Sequence, residues 1–227
     1  GREVFEKEVT IRVAERLEKL LVADPRFEVR LTRRKDVYVG LTERTGIATD
    51  QSGDLFISLH CNAVPSSGRG TQARGFEIWT WKQDKNTSTA AKALARLENE
   101  EPGPSNRANN TFLNKMMEDA LQSHSLESRR VASAIHDALV THPYFRSNDR
   151  GVDSAHFKVL EVYDMPSILI ELGFMTHPQE VRMLFDPSWQ DRYAQLIYQG
   201  IVRYYQSYDP NFPSGNSPVT VASRARS

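Results

Sequence analysis

Apolar residues along this chain recur at two periods, and segments of the two kinds alternate. Between residues 4 and 23, Val9, Val13, Leu17, Leu20 and Leu21 recur at helical spacing, which predicts an amphipathic helix. Glu3, Glu6 and Glu8 crowd its first turn, where the helix dipole favours anions. Asp24-Pro25 ends it. Phe27 to Thr32 alternates as a strand does. Arg33 to Asp36 reads as a polar loop, and Leu41 to Asp50 as a short helix whose Arg44 is expected in a surface salt bridge. Leu55, Phe56, Ile57 and Leu59 form the apolar run of a buried strand. That strand ends on His60 and Asn62, before the chain breaks into Pro65-Ser-Ser-Gly68. A further strand is expected at Gly75 to Thr80.

From about residue 81 to 125 the pattern leaves the sheet. Thr87 to Glu101 predicts an alanine-rich helix, broken by Pro102-Gly103-Pro104. Asn109-Asn110 starts another, with Phe112, Leu113, Met116, Met117 and Leu121 as its apolar set. So long an excursion reads as an insertion or lid, because long excursions in compact domains tend to be functional. Leu126 to Leu139 is a helix with His136 packed on or beside its apolar face, and His124, His142 and His177 read as surface residues. Asp149 to Val152 reads as a turn and Phe157 to Glu161 as a short strand. Ser167 to Phe174 is a second apolar strand, and it runs into Glu171 and Gly173. Helices at 178–184 and 190–205 follow. After Tyr208 the composition shifts to Asn, Pro, Ser and Gly, a tail or linker over 209–227.

Two apolar strands that end on His60 and Glu171 point to one site. In open α/β sheets ligands bind beyond the carboxyl ends of strands. Imidazole there serves as a metal ligand or a proton shuttle, and a carboxylate serves as a general base. Zinc hydrolases keep three protein ligands and one open position. His60 suits a ligand, Glu171 a general base, and a helix-start glutamate a second ligand; the described pattern offers no third.

Composition narrows the partners. The 227 residues fit one large domain, and 39% of them are hydrophobic, enough for a core. The 29 basic and 29 acidic residues cancel and are scattered, so nothing predicts nucleic-acid binding. No apolar run reaches the roughly 20 residues of a membrane span. The single cysteine, Cys61, rules out an internal disulfide framework and reads as a small buried hydrophobe. The sequence opens on Gly1 rather than Met, as a processed product does.

Glu6-Lys7-Glu8-Val9, Leu31-Thr32-Arg33, Phe56 to Ala63, Arg150-Gly151-Val152 and Glu171-Leu172-Gly173-Phe174 together resemble the zinc-dependent N-acetylmuramoyl-L-alanine amidases of bacterial cell-wall turnover, including the cell-division amidases. The likeness runs from about residue 3 to 206, with gaps in the excursion. It implies an α/β fold, a twisted mixed β-sheet flanked by helices, whose first strand is expected upstream. It implies hydrolysis of the amide between N-acetylmuramic acid and L-alanine of the stem peptide. By position, Glu6 and His60 match zinc ligands and Glu171 the catalytic glutamate. The third ligand, a histidine in a Gly-His-Gly turn, is expected upstream of Gly1. Asn62 and Arg150 are candidates for substrate contact, Arg150 with Asp149 or Asp153 as its alternative ion-pair partner.

The resemblance also implies an inserted helix that blocks the cleft with a glutamate until an activator protein displaces it. Glu98, in Arg96-Leu97-Glu98-Asn99, is the candidate, with Glu100 and Glu101 alongside. The domain is then expected to span 1–208. The setting implied is the periplasm or cell wall, with peptidoglycan as partner and Zn2+ as cofactor. A zinc peptidase acting on the stem peptide, or a metal-free wall-binding pseudoenzyme, are the competing readings.

Overall fold

A computed structural model describes residues 5–64, 72–83, 87–101, 111–208 and 212, with backbone alone at 111–114. The strands are β1 (Phe56–Asn62), β2 (Phe76–Trp81), β3 (Asp149–Ala155) and β4 (Ser167–Phe174). They form one mixed sheet in the order β1-β4-β2-β3. β4 runs parallel to β1 and antiparallel to β2, and β2 runs parallel to β3. All eight residues of β4 are buried, because helices cover both faces of this central strand.

One face packs on three long helices. These are α1 (Glu6–Val22), α5 (Ser125–Leu139) and α8 (Pro187–Tyr208). Val9 and Val13, Val131 and Ile135, and Ile197 and Ile201 meet Ile168, Ile170 and Leu172 of β4 there. α5 and α8 approach so closely at Gly200 that a Cβ would lie 2.4 Å from Ile135 Cα, so only glycine fits. The opposite face carries α2 (Leu41–Asp50) and α3 (Thr89–Glu98). There Leu41, Ala91, Leu94 and Ala95 pack with Phe56, Trp79, Phe157 and Leu169. α4 (Thr111–Ser123), α6 (Pro143–Ser147) and α7 (Glu180–Phe185) complete the helices among the described residues.

Strand alternation sorts this second face into an apolar foot and a polar head. Side chains two residues apart share a face. Phe56 and His60 therefore share one on β1, Trp79 and Glu77 on β2, and Leu169 and Glu171 on β4. Phe56, Trp79 and Leu169 are the foot, sealed by α3. His60, Glu77 and Glu171 form the head, at the carboxyl ends of β1 and β4. Pairing holds them in register: His60 is opposite Glu171 and Glu77 is opposite Glu171.

Three expected elements are corrected. Phe27 to Thr32 is extended but joins no strand among the described residues. Phe27 and Val29 instead satisfy their alternation by packing on the helical layer. Asp149 to Val152 is not a turn but the start of edge strand β3, where exposure lets polar residues pair. Gly75, at φ +104°, admits its neighbour there, since a Cβ would lie 2.0 Å from Asn148 O. Phe157 to Glu161 holds a 3₁₀ turn at Lys158–Leu160 rather than a strand. Its Phe157, Val159 and Leu160 are buried all the same, and burial alone does not separate the two conformations.

The other expected elements are present, with ends shifted by a few residues. His142 is half-buried at the protein surface, where its Nδ1 accepts from Tyr144 N at 3.3 Å and its ring lies 5.3 Å from Trp189. Arg44 donates from Nε to Val39 O at 3.0 Å and bridges to no carboxylate among the described residues. The Pro65 chain break, Glu3, Pro102-Gly103-Pro104, Asn109-Asn110 and the 209–227 tail apart from Phe212 lie outside the described residues, as do the side chains of Phe112 and Leu113.

Candidate functional site

The site is the polar head of the sheet, closed on one side by the first turn of α1 and on another by the last residue of α3. Glu6 begins α1, where its carboxylate sits at the positive end of the helix dipole. Its Oε1 accepts from Cys61 N at 3.0 Å and lies 3.2 Å from His60 Nδ1. Glu98 ends α3, and its Oε2 lies 2.6 Å from the same nitrogen. Neither ring nitrogen of buried His60 makes an aligned hydrogen bond among the described residues.

Glu171 is 0% exposed. Neither of its oxygens has a hydrogen-bond partner among the described residues. Burial pushes its carboxyl well above the usual range, opposed by His60 and reinforced by Glu98, Glu6 and Glu77. Burial pulls the other way on His60, but Glu6 and Glu98 override it and hold the imidazole up at about 10. Burial also works to raise Glu6, and contact with His60 reverses it, so the net direction is down. The Cys61 thiol is pushed up by burial, so it is a packing residue rather than a thiolate.

One imidazole and several carboxylates in a closed space carry more negative charge than His60 can balance. Buried charges are stable only when paired or bound to a cation. Ligand atoms of His60, Glu98 and Glu171 all lie within 4.8 Å of one another. Glu6 is outside that triple, yet it touches the same His60 nitrogen. The orphaned oxygens of Glu171 and the Nδ1 of His60, which Glu6 and Glu98 both approach, fit a metal cation, and a nitrogen and oxygen donor set is one that zinc accepts.

Asn62 and Arg150 also converge, though not in the way the sequence suggested. Both donate to one oxygen, Glu77 Oε1: Asn62 Nδ2 at 2.9 Å and Arg150 Nε at 3.0 Å. Asp149 and Asp153 are therefore not the ion-pair partners of Arg150. Asp149 instead holds His136 Nε2 at 2.9 Å, and that ring packs on Phe76. Glu77 went unnoticed in the sequence, although a charged residue inside Phe76-Glu-Ile-Trp was a visible signal.

The three carboxylates near the end of α3 differ in role. Only Glu98 contacts His60 among the described residues. Glu101 accepts from Leu41 N at 2.6 Å and pairs with Lys158 Nζ. Asn99 donates to His156 O and accepts from Lys158 N, both at 2.7 Å. These bonds anchor the end of α3 to α2 and to the segment after β3. Glu180, another residue the sequence did not flag, accepts from Gly75 N, Phe174 N and Tyr144 Oη, each at 2.7 Å. It ties the start of β2 to the end of β4, directly beyond Glu171.

A mixed sheet that delivers an imidazole and carboxylates to one buried end defines an α/β protein whose donor set is of a kind that can hold a cation. The sequence profile of the N-acetylmuramoyl-L-alanine amidases matches residues 1–203, and the chain belongs to that family. Among curated relatives, AmiC of Escherichia coli O6:H1 (strain CFT073) is 31% identical over 203 residues, covering 88% of this chain and 47% of AmiC. AmiA of Escherichia coli K12 is 26% identical over 207 residues, covering 90% and 70%. The chain thus spans about half the length of AmiC. A solved N-acetylmuramoyl-L-alanine amidase from Clostridium difficile 630 matches with a TM-score of 0.65 and 26% identity, over 92% of this chain and 90% of that one.

Proposed function

We propose that this chain is the catalytic domain of a zinc-dependent peptidoglycan hydrolase, which cuts the amide between N-acetylmuramic acid and L-alanine of the stem peptide. One observation carries the reading: Glu171, fully buried and without a hydrogen-bond partner among the described residues, stands within reach of His60 at the end of the central strand. Family membership supplies the substrate class. His60 and Glu6 would hold zinc, with a histidine from upstream of Gly1 as third ligand. Bound zinc supplies a Lewis acid that polarises the scissile carbonyl and acidifies water. Glu171 takes the proton of the attacking water and returns it to the leaving amine. Its closed surroundings keep that proton from bulk solvent.

Glu98 supports a second element of the proposal, autoinhibition. Its carboxylate fills space beside His60 that a substrate carbonyl and an attacking water require. The resting enzyme is then closed, and an activator protein opens it by binding the open form better. Peptidoglycan as substrate favours a setting in the periplasm or cell wall. Among the described residues no helix is long and apolar enough to cross a membrane.

The test is digestion of purified peptidoglycan by the full-length protein, with and without a chelator, and mass analysis of the products. Release of intact stem peptides with a free L-alanine amine, abolished by the chelator and restored by zinc, is the expected result. Cuts within the stem peptide would make it a peptidase instead. Unchanged peptidoglycan in the presence of zinc, with Glu98→Ala also inactive, would leave a wall-binding protein.

A further inference from the structure

Glu77 lies on the same face of the sheet as Glu171, directly opposite it across the antiparallel β2–β4 pair. It is 8% exposed. Two carboxylates so placed repel each other, and burial is costly for both. The fold keeps Glu77 by giving one of its oxygens two donors, from Asn62 on β1 and from Arg150 on β3. This single carboxylate on β2 therefore gathers side chains from two further strands, β1 and β3.

The arrangement does more to Arg150 than neutralise a charge. Its guanidinium carbon lies 5.1 Å from the centroid of the Phe174 ring, and its Nε is held by Glu77. Ring and carboxylate together fix the plane of the guanidinium. The side chain is nevertheless 42% exposed. Among the described residues, Nε is the one nitrogen of this guanidinium with a hydrogen-bond acceptor. The Nη1 and Nη2 pair remains, and that pair matches the two oxygens of a carboxylate.

Location sets which carboxylate. Phe174 is paired with Asn62, two positions beyond His60, and stands three positions beyond Glu171. Three strand residues span roughly 10 Å. That is the reach of about two to three residues of extended peptide.

We propose that Glu77 is a positioning residue which holds Arg150 to receive a backbone or side-chain carboxylate of an acidic residue two or three positions from the scissile amide, on the peptide side. The proposal rests on the amidase reading for the nature of the substrate. Asn62 shares the same anchor, so it steadies Glu77 rather than meeting that carboxylate itself.

The test compares two soluble probes, N-acetylmuramyl-L-alanyl-D-glutamate and the same dipeptide with both glutamate carboxylates converted to amides. Their binding is measured by calorimetry on the full-length, zinc-loaded protein carrying Glu98→Ala, which leaves the space beside His60 open, and Glu171→Gln, which keeps the probes uncut, while cleavage is followed with Glu171 intact. The acid form should bind at least about tenfold more tightly, the value of one charge-assisted hydrogen-bond pair. Arg150→Lys and Glu77→Ala should both bring that ratio close to one. Glu77→Gln keeps an acceptor oxygen and should restore most of it, which loss of a merely structural residue would not allow. Should Glu77→Ala fail to fold, Glu77→Asp withdraws the oxygen by one methylene and takes its place. A ratio near one in the starting protein, or a ratio unchanged when the Glu77 oxygen is removed or withdrawn, overturns the proposal. Cleavage of the muramyl–alanine bond is scored separately. A preserved ratio without cleavage supports the carboxylate site and sinks the amidase reading.

Discussion

Glu98 Oε2 and His60 Nδ1 lie 2.6 Å apart, although one ends a helix of the excursion and the other lies near the end of a strand at the sheet edge. The contact depends on how α3 is held. Ala91, Leu94 and Ala95 seat the helix on the apolar foot of the sheet, while Asn99 and Glu101 pin its end.

Removing the contact should open the site. Glu98→Ala is expected to raise basal amide hydrolysis at least about tenfold, since removing one partner of a close, largely buried charge contact costs that much or more. Asn99→Ala should raise it less, because it loosens the end of α3 without deleting the carboxylate. Activity of purified variants on labelled peptidoglycan, without activator, checks both. A folded, zinc-loaded Glu98→Ala protein no more active than its parent would show that α3 is not inhibitory.

Glu171→Gln should keep the metal and lose turnover by ~10²–10⁴-fold, the usual contribution of a general base. The replacement keeps the volume of a fully buried side chain, so the melting temperature should hold or rise. Metal analysis and single-turnover assays on the same preparation separate the two effects. Near-normal turnover would move the base elsewhere.

His60→Ala and Glu6→Ala should each lower zinc content in the full-length protein, because each removes a donor in contact at the centre. Equilibrium dialysis against buffered zinc measures the loss directly, without an activity assay. A full equivalent of zinc in Glu6→Ala would shift the ligand role to Glu98 or Glu171, the carboxylates that group most tightly with His60.

Glu180→Gln should destabilise the fold by about 3 kcal/mol, because a carboxamide cannot accept from all three buried donors. Its partners Gly75 N, Phe174 N and Tyr144 Oη would then compete for one oxygen. Burial, and then the bond to Glu180, push the Tyr144 phenol well above its ordinary value, so it stays a donor at every working pH. Urea unfolding of the variant measures the loss. A change under about 0.5 kcal/mol, the range of ordinary surface substitutions, would contradict the role.

Asp24 should make stability fall in acid. Hydrogen bonds from Arg26 lower its carboxyl from the ordinary 3.8 to about 2, against the opposing effect of burial. Tyr198 Oη adds a bond at 2.8 Å, so the group joins the end of α1 to α8. A depressed pKa stabilises the fold fully above the unfolded value and ceases to as pH falls through the folded one. The contribution should therefore disappear between about pH 3.8 and 2. Its size is at most about 2 kcal/mol by linkage, and nearer 1 once solvent screening is allowed for. Melting temperatures of Asp24→Asn and parent should differ at pH 5 and converge by pH 2. A constant gap would place the effect outside this titration.

Much of the sheet and of the site was legible in the order of residues. Continuous apolar runs at Phe56 and Ser167 marked the paired strands, and each led to the residue that enters the candidate centre, His60 or Glu171. Helical spacing marked α1, α5 and α8, because an amphipathic stripe is a local property of the chain. Family motifs added Glu6 and pointed to Glu98. Tertiary structure decided the rest, because register and pairing are set between segments far apart in the chain. Only the β2–β4 pairing puts Glu77 opposite Glu171, and only β3, polar enough to read as a turn, brings Arg150 to Glu77. Apart from that motif match, no local physical pattern distinguishes Glu98 from Glu101. Helix α3 packs its apolar side on Trp79 and Leu169, and the rotation this imposes sends Glu98 to His60 while Glu101, beyond the helix end, reaches Lys158.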